Sequence, residues 1–217
     1  MALLEELSDW VKLFNVPLLI ETLNHIPTTD ICPHKEDVFK AFKLCPLKKC
    51  NVVFLGQDPY PQKDVATGIL FGNKKKPISP SLEIIRDASI DFTAQHNYPI
   101  EFDITLESWA EQGILMLNSA LTTKVNEIGS HTQLWRPFMS NFIETLSHYQ
   151  ETLFVLFGQQ AQTFEPYIAK HNHIFKEKHP AFYARSNKRM PSDLFYKINE
   201  YLRNHNNDEI MWYKELV

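Results

Sequence analysis

Three short apolar runs stand out along the chain: Val52-Val53-Phe54-Leu55, Ile114-Leu115-Met116-Leu117 and Leu153-Phe154-Val155-Leu156-Phe157. Their length suits buried strands. A fourth and weaker run lies around His173 to Lys176. Between the runs the apolar positions recur at helical spacing. Leu3, Leu7, Trp10, Val11 and Phe14 predict a helix over 3–14, and Val38, Ala41, Phe42 and Leu44 predict one over 36–44. Further helical segments are predicted at 81–88, 105–112, 137–149, 160–170 and 192–203, with Ser81, Thr105 and Ser192 as N-caps. The Pro27 to Pro33 stretch reads as loop.

Strands that alternate with helices imply a parallel sheet covered on both faces. The predicted architecture is one three-layer α/β/α domain over 1–217 with a central four-stranded parallel sheet and a helical N-terminal lead over 1–50. The loops leaving the strands, at 56–67, 118–131, 158–163 and 179–190, should converge at one edge of that sheet, where open α/β sheets place their ligands.

With 44% hydrophobic residues, the chain can bury a substantial core. Three cysteines without a C-x-x-C pair suggest neither a disulfide framework nor a metal site, so a reducing compartment is expected. Glu5, Glu6 and Asp9 make the N-terminus unlike a signal peptide, and no apolar run is long enough to span a membrane. A cytoplasmic protein is expected, or a nuclear one in a nucleated cell. The net charge of −4 argues mildly against a nucleic-acid partner, but its distribution is uneven. The first thirty residues hold five acids against one Lys, whereas Lys170 to Arg189 holds six Lys or Arg against one Glu. Lys74-Lys75-Lys76 is a second basic run. Such patches can bind phosphates, or simply form solvated faces.

The first apolar run stops at Gly56 and gives Gln57-Asp58-Pro59-Tyr60, which puts a carboxylate and a phenol at the carboxyl end of a buried strand. A lone strand-end Asp is more often a solvated turn residue. Here three further segments follow in order: Gly68-Ile-Leu-Phe71 with Pro77-Ile-Ser-Pro80-Ser81-Leu82; Ser108 to Asn118 and on to Thr122, with Ser130-His131 downstream; and Leu156 to Gln162, then His179-Pro180. In order and spacing this set resembles the motifs of family 1 uracil-DNA glycosylases, from about Asp37 to Trp212. The segments around Asp58 and Asn118 are highly specific, and the last is degenerate.

The resemblance implies an enzyme that takes uracil out of the DNA stack and cleaves its N-glycosidic bond, leaving an abasic site. It assigns Asp58 to the attacking water and to the developing positive sugar, and His179, as a neutral donor, to uracil O2. Asn118 would read N3–H and O4 through its carbonyl and amide. Phe71 would stack on the base, Gln57 would contact base and water, and Tyr60 would exclude thymine's methyl. No metal or organic cofactor is implied. His171-x-His173 has ligand spacing but no Cys or acid nearby, and reads as surface histidines. The implied partners are uracil-containing DNA, single- or double-stranded, and a DNA-mimicking inhibitor protein; the implied state is a monomer.

The chain also departs from the pattern. The position after Tyr60, typically His, is Pro61, as in some viral members. The usual Gly-Ser is Gly158-Gln159, and the usual His-Pro-Ser-Pro-Leu-Ser is His179-Pro180-Ala181-Phe182-Tyr183-Ala184. Of the phosphate-pinching serines only Ser81 is clearly kept. Tyr183 or Phe182 is expected to wedge into the vacated stack, with Arg185, Lys188 and Arg189 compensating at the phosphates and Gln159 also facing DNA. Two other readings stay open on sequence alone: a non-catalytic DNA-binding or polymerase-associated protein on the same fold, and a glycosylase with altered base preference.

Overall fold

The computed structural model describes residues 5–91 and 98–216. All four predicted strands form: β1 (Val52–Gly56), β2 (Ile114–Asn118), β3 (Leu153–Phe157) and β4 (His173–Glu177). They make one parallel sheet in the order β2-β1-β3-β4. The first three are buried along their whole length, as their unbroken apolar sequences require. The edge strand β4 carries Lys176 and Glu177 and is only partly buried, which explains its weaker signal.

Side chains alternate across each strand and build one core on each face. Val53, Leu55, Leu115, Leu117, Phe154 and Leu156 pack with Leu7, Trp10, Phe14 and Phe42 and with Trp135, Phe138 and Phe142. Val52, Phe54, Ile114, Met116, Val155 and Phe157 pack with Leu82, Ile85, Trp109, Phe195, Ile198 and Trp212. The two sets form the expected three layers.

Helix boundaries moved more than strands did. The described part of the first predicted helix is α-helical at Ser8–Val11, and Leu3 lies outside the described residues. A helix the periodicity did not indicate, α1 (Val16–Asn24), follows, capped by Asn15 Oδ1 on the Leu18 N–H at 3.2 Å. Next in the layers come α2 (Pro80–Asp91), α3 (Thr132–Tyr149), α4 (Pro180–Ser186) and α5 (Asp193–Asn204). The predicted helix at 137–149 begins instead at Thr132, with Pro137 inside it. No described helix is long and apolar enough to cross a membrane.

Candidate active site

Parallel pairing sets Gly56, the last residue of β1, beside Asn118, the last of β2. Beyond them the two exits are stitched together. The Ser119 and Ala120 N–H groups donate to the carbonyls of Gly56 and Gln57, both at 3.1 Å, and Ser119 Oγ donates to the Gln57 carbonyl at 3.0 Å. The chains leaving β1, β2 and β4 therefore meet above the carboxyl ends of the sheet around a cavity of about 450 Å³. Gln57, Asp58, Tyr60, Phe71, Asn118 and His179 all line it, as do Ser81 and Arg185. A cavity of this size suits a small ligand.

Tyr60 is held at its tip. Its hydroxyl donates to the Phe71 carbonyl at 3.1 Å and accepts from Ser79 Oγ at 2.6 Å. Ser79 Oγ in turn accepts the Leu82 N–H at 3.2 Å and so caps α2, the task predicted for Ser81. Ser81 itself is buried and borders the cavity. Burial pushes the Tyr60 phenol well above its ordinary value, so it stays a neutral donor. Phe71 has φ 65°, and its ring meets that of His179 edge-on at 5.5 Å.

His179 caps α4: its Nδ1 accepts the Ala181 N–H at 3.2 Å. A ring nitrogen that accepts carries no proton, so the neutral imidazole bears its hydrogen on Nε2. Burial and the Arg185 guanidinium push the His179 pKa down from 6.5 to about 4, so the ring is uncharged at neutral pH. Gly158, at φ +84°, lets the backbone pass behind it, because a side-chain carbon there would stand 2.9 Å from His179 Cβ.

Two buried oxygens in the cavity wall, Asn118 Oδ1 and Asp58 Oδ2, make no hydrogen bond to any described residue. Asn118 is only 6% exposed. Unpaired buried acceptors are costly and mark places where a partner is taken up. Burial raises the Asp58 carboxyl above its ordinary value, against the Thr132 hydroxyl, the Gly129 N–H and the Gln57 side chain, which favour the anion. Among the described residues no group of three or more His, Cys, Asp or Glu side chains could hold a metal ion.

The segment after His179 is helix rather than the predicted loop, and this separates the two alternatives expected for the wedge, Tyr183 and Phe182. Proline at the first helical position, the His179 cap and Asn187 in the left-handed conformation at the far end define α4. Successive residues on a helix point about 100° apart, and here Phe182 and Tyr183 fall on different sides of the boundary between surface and core. Tyr183 turns inward, 8% exposed, and donates to Glu177 Oε1 at 2.6 Å. It is part of the core and is not available as a wedge. Phe182 is 36% exposed, with Lys178 Nζ 4.3 Å over its ring. Ala181, Ala184 and Arg185, one face of the same helix, line the cavity. Lys188 and Arg189 are exposed beyond the helix end, and Gln159 is exposed on Gly158–Gln162; none of the three borders the cavity.

Three residues at the site escaped the sequence reading: Ser79, Thr132 and Ile128. Ile128 is 72% exposed at the cavity mouth. Ser79 lies inside a recognised segment, whereas Ile128 and Thr132 flank Ser130-His131, and only the tertiary contacts single the three out.

The family model described as "Uracil DNA glycosylase superfamily" matches residues 42–203. The chain belongs to the uracil-DNA glycosylase superfamily. Among curated relatives, "Uracil-DNA glycosylase 1" of Listeria innocua is 36% identical over 192 residues, covering 84% of this chain and 83% of the relative. "Uracil-DNA glycosylase" of Phocaeicola vulgatus is 35% identical over 190 residues, covering 85% and 84%. Among solved structures, a mimivirus UNG variant in complex with UGI superposes with a TM-score of 0.75 at 31% identity, covering 84% of this chain and 76% of that one. Within the uracil-DNA glycosylase superfamily the cavity described above is thus the candidate active site, and the three-layer fold agrees with that of the solved relative.

Proposed function

We propose that this protein hydrolyses the N-glycosidic bond of uracil in DNA, with the base turned out of the stack into the cavity beneath Phe71. The observation that carries this reading is the convergence of Asp58, Tyr60, Phe71, Asn118 and His179 on one cavity at the carboxyl ends of the strands. The unpaired Asn118 Oδ1 accepts uracil N3–H, and its amide donates to O4; cytosine presents the reverse pattern. Phe71 covers the ring. Tyr60, tied to Ser79 and Phe71, is the rigid wall that a C5 methyl meets. A soft pocket resolves one methyl by only ~1–3 kcal/mol, so strong exclusion of thymine needs such a wall.

As the bond breaks, its electron pair leaves with the base. The Nε2–H of neutral His179 donates to uracil O2, and a donor preorganised for charge that develops in the transition state is worth about 3–4 kcal/mol. The Asp58 anion stabilises the cationic sugar, directs the water that attacks it, and takes that water's proton as the new C–O bond forms. Arg185 at the rim and exposed Phe182 beside it support contact with the phosphates and with the gap the base leaves. The surface that takes DNA is also the one a DNA-mimicking inhibitor protein would cover.

Incubation with single- and double-stranded oligonucleotides that contain one uracil tests the reading. Abasic sites at that position are expected, and intact strands with every substrate would overturn it.

A further inference from the structure

The carboxylate at the centre of this reading sits in the run Asp58-Pro59-Tyr60-Pro61, where two of the three following residues have no backbone N–H. Besides the neighbouring Gln57 side chain, it finds a side-chain donor far away in sequence. Thr132, the first residue of α3, donates its hydroxyl to Asp58 Oδ1 at 3.3 Å. The other oxygen, Oδ2, is buried and makes no hydrogen bond to a described residue; Gly129 lies against it, and a side-chain carbon there would stand 3.9 Å away. The two oxygens are therefore inequivalent: Oδ1 is tethered to α3, and Oδ2 is enclosed in the cavity wall.

The tether itself is rigid. The Thr132 N–H donates to the Gly129 carbonyl at 3.1 Å, and one turn on, buried Trp135 donates its indole N–H to Thr122 Oγ1 at 2.8 Å. Thr122 lies just past the exit of β2, and its hydroxyl also meets His131 Nδ1 at 2.9 Å. The start of α3 is thus locked to the same sheet edge that carries Asn118. Its first turn also offers the positive end of an 18-residue helix to the carboxylate.

We propose that Thr132 is the positioning residue of the catalytic carboxylate: its hydroxyl fixes Oδ1 and so sets the orientation in which the carboxylate meets the attacking water. This rests on the glycosidase reading above. A hydroxyl that donates to the anion also favours ionisation, in the direction opposite to burial. The other titratable groups around the site are Tyr60 on the same loop, His179 and Arg185 across the cavity, and His131 next to Thr132, with Lys124 and Glu127 beyond it. A change at Thr132 should therefore shift Asp58 while leaving the His179 titration in place.

The test compares Thr132→Val, which keeps the shape and deletes the hydroxyl, with Thr132→Ser, which restores it. Steady-state kinetics on a uracil oligonucleotide are measured against pH, and the Asp58 carboxyl is titrated by NMR in each folded protein. In Thr132→Val, kcat is expected to fall about tenfold or more, the worth of one hydrogen bond to a charged group. KM should be unchanged, and the Asp58 midpoint and acid limb should move to higher pH; Thr132→Ser should recover all three. A Thr132→Val protein with the parent's kcat and Asp58 midpoint overturns the inference alone, as does a Thr132→Ser protein as impaired as Thr132→Val. A parent protein inactive on uracil DNA overturns the glycosidase reading together with it.

Discussion

Ser79 donates a 2.6 Å hydrogen bond to the hydroxyl of Tyr60, and so fixes the side chain that closes the cavity. Because Ser79 Oγ also caps α2, the wall is anchored to a helix and not only to its own loop. Ser79→Ala is expected to cost about 0.5–1.5 kcal/mol of stability and to let the ring move. Tyr60→Ala removes the wall outright. Base release from paired uracil and thymine oligonucleotides should show thymine release appearing in Tyr60→Ala, with a smaller loss of discrimination in Ser79→Ala. Unchanged thymine rejection in Tyr60→Ala would refute the wall.

The orientation of α4 separates two neighbouring aromatics. Phe182→Ala should lower kcat/KM on duplex DNA about 10- to 100-fold, since a wedge offsets a few kcal/mol of unstacking, and should spare single strands. Tyr183→Ala instead excavates the core and should cost about 3–5 kcal/mol in a urea melt. Equal activity of Phe182→Ala on both substrates would exclude it as the wedge.

His179 predicts a pH dependence of folding. Its folded value, about 4, lies below the ordinary 6.5, so between these values the unfolded chain binds a proton that the folded protein refuses. The stabilising contribution is complete above pH 6.5 and is lost as pH falls towards 4, by at most ~1.4 kcal/mol per pH unit. Urea melts at several pH values should show a flatter dependence in His179→Gln. In Arg185→Gln, which removes the second cause of the shift, the NMR midpoint of His179 should rise.

Asp58 has the opposite sign. Its folded value is raised, so at neutral pH the protein carries a desolvated anion at a cost to stability. Asp58→Asn should therefore melt at a higher temperature than the parent while losing about 10²- to 10⁴-fold in activity. A lower melting temperature would show that the Thr132 and Gly129 contacts outweigh burial.

The sheet was legible in the sequence because three of its strands are buried on both faces and read as unbroken apolar runs. β4, with Lys176 and Glu177, gave only a weak signal because an edge strand faces water. Gln57, Asp58, Tyr60, Phe71, Asn118 and His179 lie in segments whose order and spacing match the family motifs, so they too could be found. The rest depended on tertiary contacts. Ser79 and Ser81 are indistinguishable as caps until the helix start is known, and Thr132 lies 74 residues from Asp58. The sequence could not choose between Tyr183 and Phe182 as the wedge because residues 179–190 read as loop; only the packing of α4 shows that Tyr183 is buried and Phe182 exposed.

The cavity at Asn118 and Asp58 should release uracil and no other base. Chromatography of free base from four otherwise identical duplexes, with U, T, C or A at one position, tests it most directly, with parent and Asp58→Asn protein side by side. Uracil is expected from the U duplex alone with the parent, and its release should slow at least about 100-fold with Asp58→Asn. Release of thymine or cytosine at a comparable rate, or equal rates for the two proteins, would contradict it.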